Sequence, residues 1–204
     1  MRKIELIKDY YEDGINIFSK KIVTIIPGVT VLIGCNGYGK STLFDFIKDS
    51  LYKDKIKFIH YNDRQEGGIN KISSAIFDGN IAFASASYCS SEGERIILNL
   101  GQLAQKIRSY VKGSKQDEYW ILLDAVDSGL SIDNVIDLKN LFKAIIEDNK
   151  ESKVYIIVSA NEYELVNGEN CLDVYNCKYR QFKTYNAYRN FILKTREIKD
   201  RRYK

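Results

Sequence analysis

The sequence predicts an α/β fold in which helices flank a mostly parallel central sheet, with a small antiparallel sheet at its side. Two segments, at 118–124 and 153–159, are almost entirely apolar over the length of one strand. Such runs are typical of parallel strands that are buried on both faces. Segments with the helical spacing of apolar residues alternate with the strand-like segments, and this alternation favours a sheet covered by helices.

The first third of the chain is expected to form four strands and one helix. The spacing of apolar and polar residues supports each assignment, and Pro27-Gly28 marks a tight turn between the second and third strands. The expected strands cover 3–8, 21–26, 29–33 and 56–61, and the expected helix covers 40–51. The early strands favour the antiparallel side sheet. Residues 62–90 are harder to assign, with candidate elements near 70–77 and 80–86.

The remaining residues are expected to form two long helices, the two apolar strands, and a C-terminal hairpin and helix. The long helices are expected at 92–111 and 131–149, and Ser131 is a suitable N-cap for the second. The apolar stripe predicted on this second helix comprises Ile132, Val135, Ile136, Leu141, Phe142, Ile145 and Ile146. The hairpin is expected to turn around Cys177, and the last helix to begin near Thr184. We therefore expect one domain over 1–204, with its C-terminal hairpin and helix at about 168–204.

Composition narrows the class of protein. The chain has 204 residues, of which 45% are hydrophobic and 28% charged, values typical of a globular domain. The net charge of +4 is compatible with a nucleic-acid partner without arguing for one. The four cysteines form no C-x-x-C pair, which favours free thiols over a metal cluster. With no signal-peptide core and no membrane-length apolar run, we expect a cytoplasmic protein without a membrane partner.

The segment GCNGYGKST, residues 34–42, fits the pattern G-x-x-x-x-G-K-[ST] from Gly34 to Ser41. It follows a predicted strand and opens a predicted helix, which is the context that this motif requires. The glycines allow successive backbone N–H groups to point at one anion, Lys40 is placed to reach phosphates, and Ser41 supplies an oxygen to Mg²⁺. The motif therefore predicts ATP and Mg²⁺ as cofactors. The alternative is an ordinary glycine-rich turn before a helix.

Asp124 ends the apolar segment 118–124 and is the second candidate for chemistry. A carboxylate at the end of a buried strand can hold Mg²⁺ or a water bound to it. The alternative is an aspartate that caps the following turn. The glycine-rich motif upstream favours the metal role.

Three motifs in chain order resemble those of the ATP-binding-cassette (ABC) superfamily: GCNGYGKST, SSEGER at 90–95, and LLDAVDSGLS at 122–131. In particular they look like the SMC-like and RecF-like ATPase heads. The resemblance implies an ABC-type P-loop NTPase sandwich, with Asp124 as the Walker B aspartate and Gln65 as a Q-loop residue at the metal. It further implies a D-loop at Ser128, Gly129 and Leu130. The residues implied to bind nucleotide are Gly34, Cys35, Asn36, Gly37, Tyr38, Gly39, Lys40, Ser41, Thr42, Ser91, Gly93, Glu94 and Ser128.

The resemblance also implies a second copy of the chain. In this superfamily the signature, here Ser91, Gly93 and Glu94, contacts the nucleotide held by the other subunit, as suits a helix N-terminus. We therefore expect an ATP-sandwiched homodimer that forms through the signature and the D-loop. The alternative is an ordinary capped helix that starts at Ser90 or Ser91.

Two departures from the superfamily pattern concern hydrolysis. Ala125 stands where a catalytic glutamate is expected, and a general base is typically worth about 10²–10⁴-fold in rate. Asp127 is the nearest candidate substitute. Either Ala160 or Asn161 takes the place of a switch histidine, and the asparagine amide retains only hydrogen bonding. The sole histidine, His60, lies on another predicted strand, so we expect ATP·Mg binding with slow or absent hydrolysis.

Several functions remain open on the sequence alone. The first is an SMC/RecF-like ATPase or ATP-binding switch in DNA metabolism or phage–host processes. The segment DSGLSID and the aromatic tail also look similar to small stand-alone ATPases encoded by bacteriophages, which implies the cytoplasm of a bacterial host. The second is a non-catalytic, ATP-gated module that binds a protein, and a transporter subunit is the third. The basic run at 194–204 is either a solvated end or a nucleic-acid contact. An aromatic stripe before it either faces the core or docks a partner: Phe182, Tyr185, Tyr188, Phe191 and Ile192.

Overall fold

The computed structural model describes residues 1–6, 17–62, 92–113, 116–127 and 130–202, with residues 92–97, 99 and 100 described by their backbone alone. The candidate elements near 70–77 and 80–86 lie outside these ranges. Within them, the chain forms an α/β structure with a mostly parallel six-stranded sheet and a separate two-stranded antiparallel sheet. No helix in the described ranges combines the length and apolar content needed to cross a membrane.

In the described part of the chain, eight strands form the two sheets. They are β1 (Arg2–Glu5), β2 (Ile22–Ile25), β3 (Gly28–Ile33), β4 (Phe58–Asn62), β5 (Glu118–Asp124), β6 (Lys153–Ser159), β7 (Asn170–Asp173) and β8 (Lys178–Arg180). Strands β1 and β2 pair antiparallel and form the side sheet. The central sheet has the order β4-β5-β6-β3-β7-β8, and every pair in it is parallel except β7 with β8.

Helices cover both faces of the central sheet. They are α1 (Lys40–Lys53), α2 (Glu92–Lys112), α3 (Ile132–Asp148), α4 (Tyr163–Val166) and α5 (Tyr185–Arg202). One apolar core joins α1 and the side sheet to one face, and a second core joins α2, α3, α4 and the first half of α5 to the other. The end of α5 reaches the first of these cores through Ile198.

The direction of the helices creates a crevice at the carboxyl edge of the sheet. Strands β3 and β6 are parallel neighbours, yet β3 leads to α1 on one face and β6 leads to α4 on the other. Because the two connections diverge, the loops after β3 and β6 leave a gap between them. Ligands of α/β proteins bind preferentially at such a switch point.

The predicted strands, helices and C-terminal hairpin are confirmed where the structure describes them, but the stripe on α3 is partly wrong. The buried residues of α3 are Val135, Leu138, Phe142 and Ile145. In contrast, Ile132 and Ile136 are 68% and 44% exposed. A helix turns about 100° per residue, so these two isoleucines lie about 60° and 100° around the helix from Val135 and miss the sheet.

The aromatic stripe of the C-terminal segment mainly faces the core. Phe182, Tyr188 and Phe191 are buried in the second core, and Ile192 is half-buried against it. Tyr185 is the exception, because 58% of its surface is exposed. The core-facing alternative is therefore confirmed for most of this stripe, and Tyr185 remains available to a ligand.

Candidate functional site

The loop from Gly34 to Gly39 joins β3 to α1 at the crevice, and we call it the glycine-rich loop. Gly34 and Gly39 adopt φ angles of 147° and 111°, a region that favours glycine. A Cβ at Gly34 would lie 2.1 Å from the ring of Tyr38, and one at Gly39 would lie 2.4 Å from Ile17. Glycine therefore fits these two positions best, because the loop packs against its own Tyr38 at Gly34 and against Ile17 at Gly39.

The side chain of Lys40 folds back over the glycine-rich loop. Its Nζ donates a hydrogen bond of 2.7 Å to the carbonyl oxygen of Gly34 and lies 3.4 Å from that of Cys35. The ammonium group therefore lies close to the N-terminal end of α1, where backbone N–H groups favour an anion. This combination of a cation and a helix N-terminus suits a phosphate group.

Asp124 is the centre of a polar cluster at the carboxyl edge of the sheet. Its side chain is 7% exposed and accepts hydrogen bonds from Ser41 Oγ at 2.8 Å and from Ser159 Oγ at 2.6 Å. The amide of Asn62 lies 3.4 Å away and completes the cluster. The ends of β4, β5 and β6 and the first turn of α1 thus meet at one carboxylate.

Sequence reasoning identified Ser41 and Asp124 but missed Ser159 and Asn62. Both missed residues are the last of their strands, and a polar residue at that position is the signal that identifies them once the strands are known to be parallel. Ser159 also accepts the backbone N–H of Ala125 at 2.7 Å. Its hydroxyl therefore fixes both Asp124 and the start of the loop that follows it.

Asp127 lies three residues beyond Asp124 in a different environment. It is 1% exposed, and Oδ2 accepts the backbone N–H groups of Asn161 and Glu162 at 2.7 and 2.8 Å. Burial raises the pKa of this carboxyl group, while the two backbone hydrogen bonds lower it in part. Asp127 thus ties the loop after β5 to the loop after β6. Its role as a substitute base stays a prediction, but this geometry does not favour it.

The two candidates for the switch position also differ in placement. Ala160 is buried and donates its N–H to the carbonyl oxygen of Leu32 in β3. Asn161 lines the cavity beside the glycine-rich loop. His60 is part of β4, its ring centroid 6.4 Å from that of Phe44. His60 therefore lies inside β4, on the strand predicted for it, and β4 continues to Asn62.

The end of α5 packs against the glycine-rich loop, which sequence reasoning did not foresee. Thr195 Oγ1 accepts the backbone N–H of Cys35 at 3.0 Å. Arg202 lies 5.0 Å and 4.9 Å from the ring centroids of Tyr38 and Tyr175, and its Nη1 is 3.4 Å from the carbonyl oxygen of Tyr38. The C-terminal helix therefore supports the loop and places a guanidinium group beside it.

These groups surround a cavity of about 510 Å³. The charged side chains that line it, among the residues the structure describes, are Lys40, Arg202 and Asp124. Most of the predicted nucleotide-binding residues of the loop and of α1 are in its wall, namely Cys35, Asn36, Gly37, Gly39, Lys40, Ser41 and Thr42. Gly34 lines a neighbouring cavity. The side chain of Tyr38 is buried beneath the loop, where it contacts Arg202.

Several predicted site residues lie outside the described ranges: Gln65, Ser91, Ser128 and Gly129. Gly93 and Glu94 are in the first turn of α2, where the backbone alone is described. Within the described residues, no group of three or more His, Cys, Asp or Glu side chains forms a metal site. Ser41 and Asp124 nevertheless fit Mg²⁺, because this ion usually takes one or two carboxylates together with waters and substrate phosphates.

Comparison with models of protein families and with curated proteins finds no match to this chain. A functional assignment therefore depends on the chemistry of the cavity. The cavity combines a cationic, glycine-rich anion site with a buried carboxylate and a hydroxyl that is suited to a divalent cation.

Proposed function

We propose that the chain is an ABC-type, SMC/RecF-like ATP-binding protein that binds ATP·Mg and hydrolyses it slowly or not at all. The observation that carries this proposal is the hydrogen bond of 2.8 Å between Ser41 Oγ and Asp124 Oδ2. The two residues are 83 positions apart, and each belongs to a motif expected at a nucleotide site. Their contact places the candidate metal ligands beside the glycine-rich loop.

The cavity is suited to a polyphosphate held together with a divalent cation. The backbone N–H groups at the start of α1 and the ammonium of Lys40 supply positive potential for phosphate oxygens. Ser41 and Asp124 would hold Mg²⁺, which neutralises the phosphates and bridges them to the protein. The hydroxyls of Ser41 and Ser159 donate hydrogen bonds to Asp124 and hold its side chain at the edge of the cavity.

The same geometry supports the proposal of slow turnover. Ala125 carries only a methyl group at the position beside Asp124, so it cannot accept a proton from water. Asp127 is buried and bound to two backbone N–H groups. Asn161 can donate a hydrogen bond to a phosphate oxygen but cannot take up a proton. Binding contacts are thus present without a suitable base among the described residues of the cavity wall.

In the proposed function, ATP binding would change the oligomeric state, because two copies of the chain would form a homodimer with ATP between them. Gly93 and Glu94 lie in the first turn of α2, whose N–H groups suit a phosphate bound to a second copy. Ile132 and Ile136 are exposed at the start of α3, next to the D-loop position Leu130, where a partner would cover them. These observations support an ATP-gated dimer, either as a slow ATPase or as a non-catalytic interaction module.

The test measures ATP binding, phosphate release and solution mass in one series. We expect the wild type to bind ATP with Mg²⁺, to lose affinity in EDTA, and to double in mass with ATP but not with ADP. Lys40→Ala is expected to weaken ATP binding at least about 10-fold, since it removes a charged hydrogen-bond donor. The matched control is Lys143→Ala, which removes an exposed lysine from α3 and should leave binding unchanged.

Each part of the proposal has its own contradicting outcome. If ATP binds neither the wild type nor any charge-retaining variant such as Lys40→Arg, the nucleotide site is refuted. A turnover of several per second that Lys40→Ala abolishes would refute slow hydrolysis. An unchanged monomer with every nucleotide would refute the sandwich dimer alone.

A further inference from the structure

A second cavity lies behind the glycine-rich loop, between α5 and the loop that follows β6. It has a volume of about 640 Å³ and shares Cys35, Asn36 and Asn161 with the first cavity. We call it the tyrosine groove and define it by Tyr163, Tyr185, Tyr188, Arg189, Arg196 and Lys199. None of these residues has a place in the function proposed above.

One wall of the tyrosine groove is aromatic and held in a fixed arrangement. The rings of Tyr163 and Tyr185 meet edge to face with centroids 5.8 Å apart, and Tyr188 lies 5.8 Å from Tyr163. Tyr188 is buried, and its hydroxyl donates to the carbonyl oxygen of Asn161 at 3.3 Å. The more exposed rings, Tyr163 and Tyr185, are therefore supported from behind and offer aromatic surface to the groove.

The other wall is a basic stripe along α5. Arg189, Arg196 and Lys199 follow Tyr185 at intervals of four, seven and three residues, so they share one face of the helix. At about 1.5 Å per residue, the three cations extend over about 15 Å of the helix. Arg189 has no ion-pair partner among the described residues, whereas Arg196 and Lys199 lie 4.0 and 3.6 Å from Asp200.

Positive charge is concentrated on this helix. Of the 18 residues of α5, six are basic and two are acidic, a net charge of +4. The formal net charge of the whole chain is also +4, so the rest of the chain is balanced. Three of the six cations, Arg189, Arg196 and Lys199, line the groove together with one acidic residue, Glu162. The lining therefore has a net positive charge, which favours a polyanionic ligand.

We propose that the tyrosine groove binds a short stretch of single-stranded nucleic acid, with bases stacked on Tyr163 and Tyr185 and phosphates on the basic stripe. A series of cations over about 15 Å matches successive phosphates of one strand better than the phosphates of one free nucleotide. Aromatic side chains stack on bases that are not already stacked in a duplex. An acidic peptide would satisfy the cations but would gain little from the tyrosine wall.

The groove is connected to the glycine-rich loop through backbone contacts. Thr195 of α5 accepts the N–H of Cys35, and Asn161 lines both cavities. A ligand in either cavity therefore contacts the same wall. Binding of the strand does not require ATP, so this inference stands or falls separately from the proposed nucleotide site.

The test is fluorescence anisotropy with a labelled oligothymidylate of about 15 nucleotides, within the range of known single-strand sites. Tyr185→Ala is expected to weaken binding about 5- to 150-fold, because one stacking surface is lost. Tyr185→Phe retains the ring and should bind like the wild type. Tyr52→Ala is the matched control, since Tyr52 is 68% exposed but lies on α1.

Salt dependence tests the basic stripe. The double variant Arg189→Gln/Arg196→Gln loses two phosphate contacts. The slope of the logarithm of the association constant against the logarithm of the salt concentration should therefore become shallower by about 1.4. The control Lys143→Gln should leave this slope unchanged. Lys40→Ala should still bind the oligonucleotide, which separates this site from the nucleotide site. The proposal is overturned if the wild type does not bind the oligonucleotide, if Tyr185→Ala binds as the wild type does, or if duplex DNA or a polyglutamate peptide binds more tightly.

Discussion

Asp124 and Asp127 are three residues apart and both are buried, yet their surroundings give them opposite roles. Asp124 accepts hydrogen bonds from the hydroxyl groups of Ser41 and Ser159 at the edge of a cavity. Asp127 receives backbone N–H groups from the loop after β6. A hydroxyl can rotate towards another partner, such as a metal-bound water, whereas the direction of a backbone N–H is fixed by the path of the chain. The comparison indicates that one carboxylate is available to a ligand and the other holds the fold together.

The largest effect expected from this comparison is on stability, in Asp127→Ala. The change removes the acceptor of two partly buried hydrogen bonds from backbone N–H groups, each worth about 0.5–1.5 kcal/mol, so the free energy of unfolding should fall by about 1–3 kcal/mol. Asp124→Ala should cost less stability, because the two serine hydroxyls can turn to other acceptors, but it should abolish Mg²⁺-dependent ATP binding. Urea unfolding and ATP titration of both variants measure the two effects. Equal losses of stability would refute the division of roles.

Part of this arrangement is predictable from the sequence. The strand 118–124 and the hairpin around Cys177 follow from their patterns, because runs of apolar residues and turns are local properties. The contact of Ser41 with Asp124 follows from two motifs. Ser159 and Asn62 do not, since their place beside Asp124 depends on β6 lying between β3 and β5 and on β4 lying next to β5. The lateral order of strands is not encoded in any one segment.

The contact of α5 with the glycine-rich loop could not be predicted from the sequence either. Thr195 and Cys35 are 160 residues apart, and helical periodicity shows that one face of α5 is buried without showing against what. The same limit explains the error on α3, where Ile132 and Ile136 belong to an apolar pattern but lie to one side of the sheet. Periodicity thus predicts the secondary structure, whereas the site depends on tertiary contacts.

A medium effect is expected in the pH dependence of stability. Burial raises the pKa of Asp127 in the folded protein, so the folded state binds its proton more tightly than the unfolded state does. The carboxyl group of Asp127 therefore contributes its full stabilisation below the pKa that it has in the unfolded chain. This contribution is lost as the pH rises through the pKa that the group has in the folded protein. Between these values the contribution changes by at most about 1.4 kcal/mol per pH unit.

The measurement compares urea unfolding of the wild type and Asp127→Asn from about pH 4 upwards, starting near the unfolded pKa of aspartate. Because the asparagine does not titrate, the difference between the two proteins isolates this carboxyl group. The stability of the wild type relative to the variant should decline as the pH rises. A difference that grows with pH would mean that the hydrogen bonds from Asn161 and Glu162 outweigh burial, and that Asp127 is held as a carboxylate.

The smallest effect concerns the residue that follows Asp124. Ala125 adopts φ of 56°, a left-handed conformation that a residue with a Cβ occupies at a cost of about 1 kcal/mol. Its N–H donates to Ser159 Oγ, the same hydroxyl that donates to Asp124, so the strained backbone is held by the polar cluster. Ala125→Gly relieves this strain, and the free energy of unfolding should rise by up to about 1 kcal/mol in thermal or urea unfolding. ATP affinity should stay unchanged, because the substitution removes only a methyl group. A glycine variant that is less stable than the wild type would contradict this prediction. The packing of the Ala125 methyl group would then outweigh the cost of the left-handed backbone, and the polar cluster around Asp124 would not have to hold a strained residue in place.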